Sequence, residues 1–343
     1  MEAYWKLETH GDPLGALRQF VETVWKQADL DGMVVPLNGS SDQAVQPRLI
    51  QDSDQLGEVN PFKPLMTVNT ARLAYQTILD HQEYRLGILL RPCELRALIE
   101  MVKHDSFTLD HLLTFNIDCL GTLPADEFEW RARRKAVPDG MTREAIQFAR
   151  QGGILAYRYR SACQMCVSPE ARGADINIGV LGLPVRQYML INANPEIARR
   201  LELDRVSDSP ADSSLVSQHT RVAARLAERN QHTVARVREG LAELLPRDVE
   251  ALVAQLEECQ DCQVCMDVCP ICAVDRPHRG EDGRYSTGEI MHWLVSCAGC
   301  GMCEQSCPNH LPLSIIFRQI HEQLIETSGY SAGRSTQEPL PIL

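Results

Sequence analysis

The first 200 residues alternate between amphipathic segments and short apolar runs. Apolar side chains at positions 17, 20, 21, 24 and 25 share one face of a predicted helix, and the run at 33–35 predicts a buried strand. The alternation continues with helices predicted at 69–82 and 95–103 and with strands predicted at 84–90 and 113–119. Strands separated by helices usually run parallel, so the predicted fold class is an α/β domain with a largely parallel sheet.

Beyond residue 120 the pattern becomes more polar and more helical. Residues 125–150 predict a helical excursion, and strands are predicted at 175–180 and 188–192. We predict four domains or segments, which are an α/β domain at 1–205, a polar linker and helices at 206–256, a cysteine-rich domain at 257–327 and a flexible or partner-bound tail at 328–343.

The composition is that of an ordinary soluble globular protein. Hydrophobic residues make up 44% of the 343 positions and charged residues 23%. The formal net charge of −12 argues against nucleic-acid binding as the main task. No apolar run reaches the roughly 18 residues of a membrane span, and the N-terminus lacks the apolar core of a secretory signal. Thirteen cysteines without an export signal indicate a reducing compartment, so we expect a cytoplasmic protein.

Two copies of the pattern C-x2-C-x2-C-x3-C-P stand near the C-terminus. This is the spacing of a ferredoxin with two 4Fe–4S clusters, in which the fourth cysteine of each run binds the other cluster. The predicted ligands are therefore Cys259, Cys262, Cys265 and Cys307 for one cluster, and Cys297, Cys300, Cys303 and Cys269 for the other. A zinc site would more often show two C-x2-C pairs, and disulfides would suit a small secreted chain. The motif predicts single-electron transfer.

Five cysteines remain outside these runs. Cys93 and Cys119 follow the ends of predicted parallel strands, where open α/β sheets bind ligands, and Cys163 with Cys166 forms a C-x2-C pair on a loop. These four residues would suffice for a third 4Fe–4S cluster. The alternative is a pair of buried core thiols together with a redox pair or half of a zinc site. Cys272 is predicted to be a bystander.

Five segments of the first 200 residues share their order and spacing with a known family. They are DGMVV at 31–35, RPCELRALIEMVK at 91–103, DCLGT at 118–122, CQMC at 163–166 and ADINIGVLG at 174–182. In these segments the chain resembles the beta-subunit family of the coenzyme F420-reducing hydrogenases and dehydrogenases. The resemblance implies an FAD beside a 4Fe–4S cluster that is bound by Cys93, Cys119, Cys163 and Cys166.

The chain departs from that family in two places. Many relatives have the ferredoxin first, whereas here it follows the α/β domain, and helical patterns at 288–295 and 313–325 flank its second run. This arrangement resembles the helical ferredoxins of heterodisulfide-reductase and succinate-dehydrogenase partners, so we predict a helical two-cluster ferredoxin domain. Many relatives also begin the first helix with a Gly-Gly and a Val-Thr pair, where this chain has HGDPLG at 10–15.

The sequence contains no G-x-G-x-x-G fingerprint, so a Rossmann dinucleotide site is not predicted. Candidate flavin contacts are Asn60 and Lys63, which precede a predicted helix, and Gly121, which allows close approach of a ring. A plain turn with an exposed lysine is the alternative for the first two residues, and a plain turn is the alternative for Gly121. Arg91 and Glu94 flank Cys93 and are candidates for orienting the site, and a surface ion pair is the alternative for both.

The resemblance and the cysteine runs together predict an iron–sulfur flavoprotein subunit of an oxidoreductase complex. A flavin would exchange hydride with F420 or NAD(P)H, and three 4Fe–4S clusters would carry electrons to a partner subunit. The alternative is a flavin-free electron-wire subunit that bridges a hydrogenase, formate dehydrogenase or heterodisulfide-reductase-like partner. No side chain is assigned a catalytic role, and a substrate-accessible iron at the third site is disfavoured because all four cysteines are present.

Overall fold

The computed structural model describes residues 3–341 except 40–43, 106, 136, 138, 155–157, 243–244, 247 and 257–261. Its centre is an eight-stranded sheet, consisting of β1 (Ala3–Glu8), β2 (Gly32–Asn38), β3 (Val45–Ile50), β4 (Leu86–Leu90), β5 (Leu112–Ile117), β6 (Ile176–Gly179), β7 (Tyr188–Ala193) and β8 (Ser209–Pro210). The spatial order is β3-β2-β4-β5-β6-β7-β1-β8. Strands β2, β4, β5 and β6 are parallel, and the remaining pairings are antiparallel. The α/β fold class with a parallel core is confirmed.

Helices cover the sheet and form most of the C-terminal third. The first eight are α1 (Pro13–Ala28), α2 (Thr70–Asp80), α3 (Pro92–Asp105), α4 (Ala125–Ala132), α5 (Gly140–Phe148), α6 (Ser161–Gln164), α7 (Pro195–Arg200) and α8 (Leu203–Val206). The others are α9 (Ser213–Gly240), α10 (Val249–Leu256), α11 (Val264–Asp267), α12 (Thr287–Val295), α13 (Met302–Gln305) and α14 (Leu313–Ser328). Short 3₁₀ turns lie at Ser53–Glu58, Ala149–Gln151 and Ile271–Ala273.

Three strands, β1, β3 and β8, were not predicted from the sequence, and all three belong to the antiparallel flanks of the sheet. In β3, Pro47 lies opposite Pro36 of β2, and prolines are tolerated only where a strand does not need every N–H. In β8 only two residues pair with β1, within the stretch predicted as a polar linker. These strands exist because an edge is available for pairing, which the local pattern does not reveal.

Two hydrophobic cores lie on the two faces of the sheet. One contains Leu17 and Phe20 of α1 with Phe115 of β5. The other contains Leu98 of α3 together with Trp293 of α12 and with further side chains of α14. The C-terminal helices therefore pack directly against the sheet domain. Among the described residues, no helix has the length and apolar character needed to cross a membrane.

Candidate iron–sulfur centre at the sheet edge

Two of the five remaining cysteines lie at the carboxyl ends of neighbouring parallel strands. β4 ends at Leu90 and β5 ends at Ile117, and the two strands pair in parallel. Cys93 lies in the first turn of α3, directly after β4, and Cys119 lies two residues after β5. Because parallel strands end at one edge of the sheet, both cysteines reach the crevice in which such sheets bind ligands.

The C-x2-C pair lines the same cavity. Cys163 belongs to the short helix α6, and Cys166 follows the end of that helix. Both line one cavity with Cys93 and Cys119, and Cys300 of the second cysteine run lines it as well. Four converging thiols are the donor set of a 4Fe–4S cluster, so the residues present fit that group. The structure thus brings together the predicted third set, beside the second cysteine run.

Asp118 anchors the loop that carries Cys119. Its buried carboxylate accepts hydrogen bonds of 2.7 to 2.8 Å from the main-chain amides of Ala171, Val180 and Leu181. His219 of α9 adds a contact of 2.7 Å between its Nε2 and Asp118 Oδ2. Burial lowers the pKa of His219, but the charge and hydrogen bond of Asp118 together with the Glu170 charge outweigh burial, so this pKa is raised above its usual value. The Cys119 loop is therefore tied to both β6 and α9.

Arg160 is a buried cation between the C-x2-C pair and the second cysteine run. Its Nη2 donates a hydrogen bond of 3.2 Å to the carbonyl oxygen of Cys300 and lies 4.0 Å from Cys163 Sγ. Its Nε donates to Thr122 Oγ1 at 2.8 Å, and its Nη1 donates to Gln305 Oε1 at 2.9 Å. One guanidinium group therefore links three segments of the chain around the cavity.

The thiols of the cavity differ in how readily they ionise. Burial raises the pKa of Cys93 well above its usual value and raises that of Cys119 to about 12. Burial also acts to raise the pKa of Cys163, but the Arg160 charge and hydrogen bonding from Thr122 outweigh it, so this pKa is lowered. Because the thiolate is the form that binds metal, Arg160 favours the ligating form of Cys163.

From their second cysteines onward, the two cysteine runs have the same local conformation. In each run the residue after the second cysteine, Gln263 or Gly301, has a left-handed backbone, with φ of 54° and 68°. A one-turn helix follows in both cases, as α11 or α13. A Cβ atom on Gly301 would lie 2.3 Å from the Cβ of Ala162 in α6. Glycine at this position therefore lets the second run approach the C-x2-C segment closely.

The predicted second set of ligands is grouped in the structure. Burial raises the pKa of Cys303 well above its usual value. The charges of four nearby thiols raise this pKa further, in decreasing order those of Cys300, Cys297, Cys269 and Cys265. The Trp293 indole N–H donates to Cys269 Sγ at 3.4 Å. This grouping is consistent with the crossed ligand pattern, in which the last cysteine of one run joins the other run.

The predicted first set is only partly described. Cys262 is exposed, Cys265 is half-buried and Cys307 is buried, whereas Cys259 lies outside the described residues. The hydrogen bond from Cys272, predicted to be a bystander, is the largest influence on Cys269 and lowers its pKa to about 6. The assignment of all eight cysteines to two clusters stays a prediction.

Two candidate flavin contacts belong to a buried network around Asp139. The Lys63 ammonium lies 3.3 Å from Asp139 Oδ1. Asn60 Nδ2 donates to the same carboxylate oxygen at 3.2 Å and to Thr142 Oγ1 at 2.9 Å. Both side chains are fully buried, so Lys63 is not the exposed lysine of a plain turn. Their assignment to a flavin stays a prediction.

The third candidate flavin contact, Gly121, lines the cysteine cavity. Its φ is +86°, and a Cβ atom there would lie 2.7 Å from the Tyr159 ring. The packing of Tyr159 by itself therefore requires glycine at this position. All three candidate flavin residues thus have protein partners, and their role toward a flavin remains a prediction.

Arg91 and Glu94 brace the same edge of the sheet. Glu94 accepts hydrogen bonds from the Arg91 amide at 2.8 Å and from Thr70 Oγ1 at 2.7 Å. The Arg91 Nη2 donates to the carbonyl oxygens of Lys63 and Leu65, both at 3.0 Å. Both residues are buried, so neither is part of a surface ion pair. They orient the Cys93 turn through the main chain.

Sequence reasoning missed three residues that shape the cavity, namely Asp118, Arg160 and Gly301. The only signal available was proximity in sequence, since Asp118 precedes Cys119 and Arg160 stands three residues before Cys163. Gly301 lies inside the second cysteine run, where its contact with Ala162 cannot be inferred from spacing.

Comparison with known proteins finds similarity along most of the chain and a separate match in its cysteine-rich part. The family of the 4Fe-4S dicluster domain matches residues 255–311. The F420-dependent formate dehydrogenase subunit beta of Methanocaldococcus jannaschii is 22% identical over 95% of this chain and 93% of its own length. The F420-dependent formate dehydrogenase 1 subunit beta of Methanococcus maripaludis is 24% identical over 37% of this chain and 38% of its own length.

A solved structure shares the fold. A chain of the F420-reducing [NiFe] hydrogenase complex from Methanosarcina barkeri superposes with a TM-score of 0.50 at 11% identity, over 69% of this chain and 91% of that chain. These similar proteins are subunits of oxidoreductases, and the resemblance proposed from the five sequence segments is confirmed. Along 95% of its length the chain is thus similar to the beta subunit of an F420-dependent formate dehydrogenase, and residues 255–311 match the 4Fe-4S dicluster domain.

Proposed function

We propose that this chain is the iron–sulfur flavoprotein subunit of an oxidoreductase complex. In this role it passes electrons between a hydride carrier and a partner subunit, by way of a flavin and three 4Fe–4S clusters. The observation that carries the proposal is the convergence of Cys93, Cys119, Cys163 and Cys166 on one cavity. Cys300 lines that cavity too, so a third cluster would lie next to the dicluster domain.

The chain's own residues support cluster binding in three ways. Asp118 holds the Cys119 loop through main-chain amides. Arg160 lowers the pKa of Cys163 against the effect of burial, which favours the thiolate. Met66 and Leu226 contribute apolar walls to the cavity, which limit water around the sulfur ligands. Together these residues would hold an anionic cluster beside a fixed positive charge.

The hydride carrier in this proposal is coenzyme F420, with NAD(P)H as the alternative. Support comes from the relatives, which are named as F420-dependent enzymes. A bound flavin supplies the exchange between two-electron hydride transfer and single-electron transfer. The partner would be a formate dehydrogenase, hydrogenase or heterodisulfide-reductase-like subunit, because the curated relatives are named as beta subunits and the matched solved structure is a hydrogenase complex.

A second candidate function is a flavin-free electron wire between two enzymes. One observation favours it, namely that the candidate flavin contacts already have protein partners. Lys63 and Asn60 contact Asp139, and Gly121 packs against Tyr159. In this reading the cysteine cavity keeps its cluster, while the hydride chemistry belongs to another subunit.

Iron, sulfide and flavin content of the anaerobically purified full chain tests both candidates. We expect about twelve irons and about one flavin per chain, and a loss of about four irons in Cys163→Ser. Cys272→Ser is the matched control, because it removes a thiol that is predicted not to bind a cluster. About twelve irons without flavin would favour the electron wire. About eight irons in both the wild type and Cys163→Ser would refute the third cluster.

A further inference from the structure

Three side chains with metal-binding atoms meet where the sheet domain contacts the dicluster domain. His104 lies near the end of α3, His292 lies in α12, and Asp275 lies in the loop between the two cysteine runs. Asp275 Oδ2 lies 2.8 Å from His104 Nδ1 and 2.8 Å from His292 Nε2. One donor atom from each residue falls within 4.8 Å of the other two.

The hydrogen bonds behind His104 determine which of its nitrogens carries a proton. Glu100 is fully buried and accepts from the Lys103 ammonium at 2.9 Å and from the Gly333 amide at 2.7 Å, as well as from the Tyr330 hydroxyl. As the carboxylate partner of the Lys103 ammonium, Glu100 accepts hydrogen bonds and donates none. Ser296 Oγ therefore donates its single proton to Glu100, at 2.8 Å.

The donor role of Ser296 in turn determines the role of the His104 ring. Because the Ser296 hydroxyl donates its hydrogen to Glu100, its oxygen accepts a hydrogen bond of 2.9 Å from His104 Nε2. In a neutral ring the other nitrogen, Nδ1, then presents a lone pair to Asp275 Oδ2. Two lone pairs that face each other at 2.8 Å are stabilised when a cation lies between them.

We propose that His104, Asp275 and His292 bind one divalent transition-metal ion of the zinc class. Two imidazoles and one carboxylate are ligands that zinc accepts, with water as the fourth, whereas magnesium and calcium prefer oxygen donors alone. The Asp275 and His292 side chains are 35% and 48% exposed, which leaves a path for the ion from solvent. Ser296 and Glu100 would orient the His104 ring from behind, as outer partners of metal-bound histidines do.

This site goes beyond electron transfer, because its ligands are not cluster cysteines. The ion would join α3 of the sheet domain to α12, which lies between the two cysteine runs. It would therefore act as a cross-link that fixes the dicluster domain against the sheet. We expect zinc to raise the temperature of unfolding of the iron-loaded protein without a change in its iron content.

The test is zinc binding to the anaerobically purified, iron-loaded full chain. After dialysis against a mild chelator, zinc and iron content would be measured by plasma mass spectrometry, and affinity by competition with a zinc-sensitive dye. Wild type should bind about one zinc per chain, and His292→Ala should bind it at least about tenfold more weakly. His278→Ala is the matched control, because His278 is an exposed histidine only three residues from Asp275.

Equal affinity in wild type and His292→Ala, or no zinc bound by the wild type, would overturn the proposal and leave a hydrogen-bonded cluster of two histidines and one carboxylate at this place. Zinc that displaces iron and is retained by His292→Ala would belong to the cluster cysteines, and this would also overturn the site. A rise in unfolding temperature with zinc in wild type and His278→Ala, but not in His292→Ala, would support it.

Discussion

Arg160 donates a hydrogen bond of 3.2 Å to the main-chain carbonyl of Cys300. This bond joins the segment before the C-x2-C pair to the middle of the second cysteine run, 140 residues further along the chain. The same guanidinium lies 4.0 Å from Cys163 Sγ. A single buried cation therefore faces both the proposed third cluster and a ligand loop of the dicluster domain.

Removal of this charge should make the proposed third cluster harder to reduce. In Arg160→Gln we expect its reduction potential to fall by at least about 60 mV, a tenfold change in the one-electron equilibrium constant. The reason is that reduction adds negative charge, which the guanidinium stabilises in a dry site. Potentiometric titration followed by electron paramagnetic resonance measures the shift.

Arg158→Gln is the control for this charge effect. Arg158 stands two residues from Arg160 but forms an ion pair of 3.1 Å with Glu127 at the protein surface. Its replacement should leave the potential unchanged. Equal potentials in the two variants would contradict the role assigned to Arg160.

Gly301→Ala should weaken the contact between the second cysteine run and α6. The new Cβ would meet Ala162 at 2.3 Å, and the φ of +68° disfavours any side chain. Gly299→Ala is a matched control, because its φ is +66° and its Cβ would meet nothing within 4 Å. The backbone cost should be about 1–2 kcal/mol in both variants, and the clash should add about 1–3 kcal/mol in Gly301→Ala alone. Anaerobic denaturant unfolding of the two variants would show equal losses if this close contact were unimportant.

Asp118→Asn should destabilise the Cys119 loop. Either orientation of the new amide turns its NH₂ group toward a main-chain N–H that Asp118 now satisfies. We expect a loss of about 1–3 kcal/mol in the free energy of unfolding, together with reduced iron at the third site. Asp208→Asn, at an exposed carboxylate that accepts one bond from the Glu8 amide, should change the stability by no more than about 0.5 kcal/mol. Similar effects in both variants would argue against the anchoring role.

The contribution of His219 to stability should depend on pH. Its pKa is raised in the folded protein, because the charge and hydrogen bond of Asp118 together with the Glu170 charge outweigh the effect of burial. A histidine whose pKa is raised on folding stabilises the folded state. This stabilisation is fully present below the pKa of the unfolded state, about 6.5, and is lost as the pH rises through the pKa of the folded state. The advantage of wild type over His219→Gln in unfolding temperature should therefore be largest below pH of about 6.5 and shrink at alkaline pH. An advantage that grows with pH would reverse the sign and contradict this assignment.

Local sequence was enough for the elements that depend on nearby residues. The spacing of each cysteine run places three ligands within one loop, so the dicluster domain was predictable from the motif. Helical periodicity likewise predicted α1, α2 and α12, because one apolar face is defined within a few turns. The parallel core strands were also recognisable, since strands buried on both faces form continuous apolar runs.

The sequence by itself therefore determined the alternating α/β pattern, the two cysteine runs and the four further cysteines as candidates for one site. Only the tertiary structure decided that these four line one cavity with Cys300, and that Arg160 lies between the two groups. It also paired β8 with β1 and brought Gly301 against Ala162. The physical reason is distance along the chain, because contacts between residues more than 100 positions apart leave no trace in local periodicity or spacing.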